Sequence, residues 1–83
     1  MKAVYFASVR ERIGVSEEEI APPANVTTVA QLIAWLAERG EGYAAAFANA
    51  MTIRAAIDKT HARPNSLIVS AREIAFFPPM TGG

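Results

Sequence analysis

The stretch Thr28-Val29-Ala30-Gln31-Leu32-Ile33-Ala34-Trp35-Leu36 decides the fold class. Thr28 followed three residues later by Gln31 forms a capping box, in which each side chain satisfies an amide freed at the start of a helix. Val29, Leu32, Ile33 and Leu36 then recur at i, i+3, i+4 and i+7, which gives one narrow apolar stripe. A helix with a single apolar stripe needs one surface to lie on, and the segments on either side supply it as strands. Arg39 is expected in the last turn, where a cation suits the helix dipole, and Gly40 is expected to end the helix in the left-handed conformation. Trp35 falls about 120° away from the stripe at 100° per residue. Either the Ala-rich segment 43–50, expected to form a second short helix, covers it, or it serves as an anchor for a partner.

Upstream, residues 2–8 read as a strand with apolar side chains on both faces, which predicts a central strand covered on two sides. Residues 9–16 read as a polar connection containing Gly14. Glu17 to Ile20 read as an edge strand, and three consecutive glutamates there discourage edge-to-edge pairing. Downstream, Ile53, Ala55 and Ile57 alternate with Arg54, Ala56 and Asp58, the pattern of a half-buried strand. Asp58-Lys59 reads as a turn, residues 60–63 as a short returning strand, and Glu73 to Phe77 as the last strand. This order predicts an α+β domain with one mixed sheet and one main helix packed across it.

Composition narrows the function. The 83 residues make one small domain, and a hydrophobic fraction of 52% is enough to form a core. Eight basic and eight acidic residues balance, with no basic block, so no nucleic-acid surface is expected. The chain has no cysteine, hence no disulfide, thiolate zinc site or thiol nucleophile. No apolar run approaches the roughly 20 residues of a membrane span, and the start lacks the layout of a signal peptide, so no membrane association and a cytoplasmic location are expected. His61 is the only histidine and has no partner at ligand-like spacing, so it is expected as a surface turn residue and no metal site is expected. Glu17, Glu18 and Glu19 point alternately to opposite faces of a strand and do not converge on a cation. Nothing here forms a self-sufficient catalytic set.

The closing run Phe76-Phe77-Pro78-Pro79-Met80-Thr81-Gly82-Gly83 carries the functional signal. Residues 1–77 are expected to form the domain, and 78–83 a flexible tail ending in Gly-Gly. Pro78 and Pro79 restrict the backbone to an extended run in advance. Gly82 and Gly83 lack side chains and can pass through a channel too narrow for a Cβ. Ordering the tail costs roughly 1–2 kcal/mol per residue in backbone entropy, less where proline has already restricted the chain. Fully extended, it reaches about 20 Å. Alternation puts Ile74 and Phe76 on one face and Ala75 and Phe77 on the other, so if Phe76 is buried, Phe77 points outward at the tail root. The reactive group expected is the α-carboxyl of Gly83, which with a pKa of about 3.5 is ionised at neutral pH, a poor electrophile that needs activation by another protein.

Along essentially its whole length the chain resembles the small subunits of molybdopterin synthase, sulfur carriers of the ubiquitin-like β-grasp class. The resemblance rests on Val4-Tyr5-Phe6-Ala7-Ser8-Val9-Arg10-Glu11, the helix from Val29 to Leu36, and Ile74 through Gly83. It implies a non-autonomous subunit of a sulfurtransferase complex, which donates sulfur rather than providing catalytic side chains. A ubiquitin-activating-type adenylyltransferase would use ATP to adenylate Gly83, and a sulfur donor enzyme would convert it to a thiocarboxylate. The large synthase subunit would then receive the tail for transfer to a pterin precursor, and no cofactor would be bound by the chain itself. The resemblance places Gly82 and Gly83 at the reactive end, with Phe6, Arg10, Phe77, Pro78, Pro79, Met80 and Thr81 as partner-binding positions. Departures are Asp58-Lys59 where Asn-Gln is common, Ser70-Ala71-Arg72-Glu73 where Asp-Gly-Asp-Glu is frequent, and His61 where a larger aliphatic residue is typical. A protein modifier conjugated to lysines, or a carrier of another pathway such as thiamin synthesis, would use the same glycine pair.

Overall fold

A computed structural model describes residues 1–79 of the chain. Five strands, β1 (Lys2–Tyr5), β2 (Glu17–Glu19), β3 (Arg54–Ile57), β4 (Thr60–Ala62) and β5 (Glu73–Phe77), form one sheet in the order β2-β1-β5-β3-β4. The first and last strands lie side by side and parallel, with Ala3 opposite Ile74 and Tyr5 opposite Phe76. The other pairings are antiparallel. Three helices pack on the sheet: α1 (Ala7–Ile13), α2 (Val29–Ala37) and α3 (Glu41–Ala46).

The main helix starts as its sequence dictates. Thr28 Oγ1 accepts from the Gln31 amide at 3.2 Å, and Gln31 Oε1 accepts from the Thr28 amide at 3.2 Å. Val29, Leu32, Ile33 and Leu36 are buried, so the stripe faces the core. Its end differs from expectation. The helix stops at Ala37, Glu38 keeps right-handed angles, and Arg39 lies beyond the last turn. Gly40 has φ 162°, which is extended backbone rather than left-handed, and it caps the start of α3.

Two further expectations are corrected. The first strand ends at Tyr5, and residues 7–13 are a helix rather than strand and polar connection. Only Val9 of this helix is fully buried, and no side chain caps it. Tertiary packing rather than local sequence therefore makes it helical. Gly14, at φ 97°, ends α1, and its N–H donates to the Arg10 carbonyl at 2.8 Å. The second correction concerns coverage of the sheet. Ala3, Tyr5, Ala55, Ile74 and Phe76 share one face and are buried together with Val9, Leu32, Leu36 and Phe47. Val4, Ala56 and Ala75, on the alternate face, are only half-buried. The strand is covered on one side, and the sheet keeps an open face.

At the core centre Phe76 is fully buried, stacked on Tyr5 at 6.2 Å and met edge-on by Phe47 at 5.3 Å. The Asp58-Lys59 turn is present, with φ values of 47° and 72°. Two successive positive φ values give the hairpin twist that matches the strands. The Asp58 carboxylate accepts from the amides of Arg72 and Glu73 at 3.1 and 3.0 Å, which ties the turn to the start of β5.

Candidate functional site

The parallel pairing of β1 with β5 builds the site. Both strands run toward the same end of the sheet, so Phe6, just past β1, arrives beside the end of β5, and its amide donates to the Phe76 carbonyl at 3.1 Å. By alternation with buried Tyr5 and Phe76, both Phe6 and Phe77 belong to the open face. Phe6 is 49% exposed, whereas Phe77, Pro78 and Pro79 are half-buried. Phe77 thus lies less open than simple alternation suggests. Its ring is met edge-on by His61 at 6.4 Å, and Arg54 pairs with it across β3. Arg10 is exposed on the first turns of α1, with its amide bonded to the Phe6 carbonyl at 3.3 Å.

The fold therefore gathers Phe6, Arg10, Phe77, Pro78 and Pro79 at one end of the molecule. Met80, Thr81, Gly82 and Gly83, the remainder of the expected site, lie outside the described residues. Asp58-Lys59 sits at the opposite end of the hairpin, alongside the start of β5 and a strand's length from the tail root. His61 is on strand β4 rather than in a turn, and it is exposed on the open face opposite Ala56. The sheet register decides this, because the two-residue turn at Asp58-Lys59 returns the chain as a strand at once.

One arrangement went unread in the sequence. Glu18 Oε2 accepts from both the Tyr5 and the Tyr43 hydroxyls, each at 2.7 Å, and Arg39 lies 3.8 Å from the other carboxylate oxygen. The Arg39 guanidinium also sits over the rings of Trp35 and Tyr43, at 5.3 and 5.2 Å. Trp35 is half-buried under this stack, so the cover expected from the 43–50 segment comes from Tyr43 through Arg39. Burial, then the bond to Glu18, push the Tyr5 phenol well above its ordinary range, and the Tyr43 phenol is raised by the same causes. The outward glutamates stay on the surface, Glu17 with Lys2 at 3.3 Å. Only the alternation along three glutamates hinted that the middle one would turn inward.

Among the described residues no cluster of three His, Asp or Glu could hold a metal ion. No helix there is long and apolar enough to cross a membrane.

A mixed sheet with its first and last strands parallel at the centre, grasping one main helix, is the β-grasp architecture of ubiquitin-like proteins. The sequence is more specific: the chain belongs to the ThiS family, whose model matches residues 3–83. It is 34% identical over 83 residues to the molybdopterin synthase sulfur carrier subunit of Escherichia coli (strain K12), covering 100% of this chain and 99% of that one. Among solved structures it is similar to a protein from Pyrococcus furiosus described as subunit 1 of a molybdopterin converting factor, with a TM-score of 0.73, 25% identity and 94% coverage of both chains. SAMP1 from Haloferax volcanii has the same fold, with a TM-score of 0.72 at 21% identity, over 100% of this chain and 98% of that one.

Proposed function

We propose that this chain is the sulfur-carrier subunit of a molybdopterin synthase, acting in the cytoplasm. The observation that carries this reading is the full-length relationship to sulfur carrier subunits of that enzyme. In this reading residues 1–77 are the handle and 78–83 the working tail. Gly83 supplies the carboxyl, and Gly82 keeps the approach narrow. A ubiquitin-activating-type enzyme uses its own ATP to join the Gly83 carboxylate to AMP, with loss of pyrophosphate. A persulfide on a sulfur donor enzyme then displaces AMP to form an acyl disulfide. A second thiol attacks the donor's sulfur, forming a disulfide with it and leaving a thiocarboxylate, whose sulfur is anionic and unhindered. The tail enters the large synthase subunit, which receives the sulfur for a pterin precursor. Phe6, Arg10, Phe77, Pro78, Pro79, Met80 and Thr81 hold the partner, with the apolar members grouped at the tail root supplying the buried anchor that protein interfaces centre on.

Incubation with the cognate activating enzyme, ATP, a persulfide donor and a thiol reductant should raise the intact mass by the difference between sulfur and oxygen. Deleting Gly83 should prevent the gain while leaving the folded domain intact, since the tail follows the last core strand. Unchanged mass with the active cognate enzyme, or accumulation of isopeptide-linked adducts in place of thiocarboxylate, would refute the proposal.

A further inference from the structure

Beside the tail root lies a groove of about 280 Å³ between the N-terminal half of α2, the short 3-10 turn Ala50–Thr52 and the β3–β4 hairpin. Its walls are apolar, with Ile33, Ile53 and Ala62 among them, and Met51 at the edge is 94% exposed. Three basic residues, Arg54, His61 and Arg63, also line it, and no acidic residue does. All three are exposed. Ion pairs among the described residues use Lys2, Arg39 and the N-terminus, and none uses Arg54 or Arg63.

Register explains the clustering. Ala55 pairs with Ala62, so Arg54 at the start of β3 and Arg63 just past the end of β4 are neighbours. Arg54 also pairs with Phe77, and His61 meets the Phe77 ring on the open face, so residues that line the groove also touch the tail root across the sheet. In addition, β4 is an outer strand. Ile57 and Thr60 close the two-residue hairpin as a hydrogen-bonded pair, and alternation turns the main-chain N–H and C=O of His61 outward.

We infer that this groove docks an extended segment of the tail-accepting large subunit that carries an apolar side chain flanked by carboxylates. The inference rests on the proposed sulfur-carrier role and adds to it the chemistry of the facing surface. The apolar side chain fills the space between Ile33, Ile53 and Met51, and the carboxylates meet Arg54 and Arg63. A chain whose acidic and basic residues balance overall presents a local positive site here, so complementarity depends on position and not on net charge.

The test measures the dissociation constant between the full chain and its cognate large subunit by calorimetry, at low and high salt. Affinity should weaken as salt rises, because exposed charges are screened. Arg54→Glu and Arg63→Glu should each weaken binding by about tenfold or more at low salt. Arg72→Glu makes the same change in net charge at the far end of β5 and should stay within about twofold. Circular dichroism checks that each variant is folded, and Arg54→Gln and Arg63→Gln give a milder graded series. Wild-type binding that Arg54→Glu and Arg63→Glu leave unchanged, or weaken no more than Arg72→Glu does, overturns the inference alone. Failure of the wild-type chain to bind the large subunit overturns the sulfur-carrier reading and this inference with it.

Discussion

Removing the carboxylate of Glu18 should destabilise the domain far more than its place on a short edge strand suggests. The Tyr5 ring is 1% exposed, and its hydroxyl has Glu18 as its acceptor at 2.7 Å. In Glu18→Ala that hydroxyl is left unpaired in the core, at a cost of about 1–3 kcal/mol. Tyr43 is half-buried and can turn its hydroxyl to water, so its loss is smaller, up to about 1 kcal/mol. The Arg39 pair is partly exposed, at 33% and 22%, and adds about 0–1 kcal/mol. The sum is about 1–5 kcal/mol, which for a domain of this size lowers the melting temperature by about 4–40 °C. Tyr5→Phe removes the donor instead and strands nothing, since Glu18 keeps Tyr43 and Arg39. It should cost about 1 kcal/mol or less. Urea unfolding followed by the fluorescence of Trp35, the single tryptophan, measures each variant and the double variant. In the Tyr5→Phe background, Glu18→Ala should lose the unpaired-hydroxyl penalty and cost about 1–3 kcal/mol less. An equal cost of Glu18→Ala in both backgrounds would refute the reasoning, as would a cost under about 0.5 kcal/mol.

Two other perturbations have definite signs. A Cβ at Gly42 would stand 2.5 Å from the Arg12 carbonyl oxygen, so Gly42→Ala must push α3 off α1. It should lower stability by about 1–3 kcal/mol in urea titration, despite the better helix propensity of alanine. Gly40→Ala meets only Tyr43 Cδ2, at 3.7 Å, and should change stability by less than about 1 kcal/mol. Alkaline pH should also weaken the fold. Because burial and Glu18 hold the Tyr5 and Tyr43 phenols protonated, the folded state keeps protons that the unfolded state releases above about pH 10. That contribution is complete below about pH 10 and is lost as pH rises beyond it. Urea midpoints across this range should fall, and fall less in Tyr5→Phe.

Much of the chain could be read from its residues because the signals were local. Thr28 and Gln31 are three positions apart, and the stripe from Val29 to Leu36 lies within two turns, so the helix needed no distant partner to be legible. The alternation in Ile74 to Phe77 and the turn at Asp58-Lys59 are equally local, and the resemblance in the closing segment anticipated the family. The helix at residues 7–13 was hidden because its one buried anchor is Val9 and it has no capping side chain. The end of α2 was misplaced because a glycine beyond a helix can serve either as its left-handed stop or as the start of the next helix, and here Gly40 begins α3.

The sequence alone determined the main helix, the strands and the order in which they follow, since these arise from short-range periodicity, capping and turn residues. Only the tertiary structure decided which face of the sheet stays open, because Ala55, Ala56 and Ala75 look alike until the helices cover one side. It also brought Phe6 to the root of the tail and Glu18 to two tyrosine hydroxyls. These meetings join residues far apart in the chain, so they depend on strand register and helix placement, which no local stretch encodes.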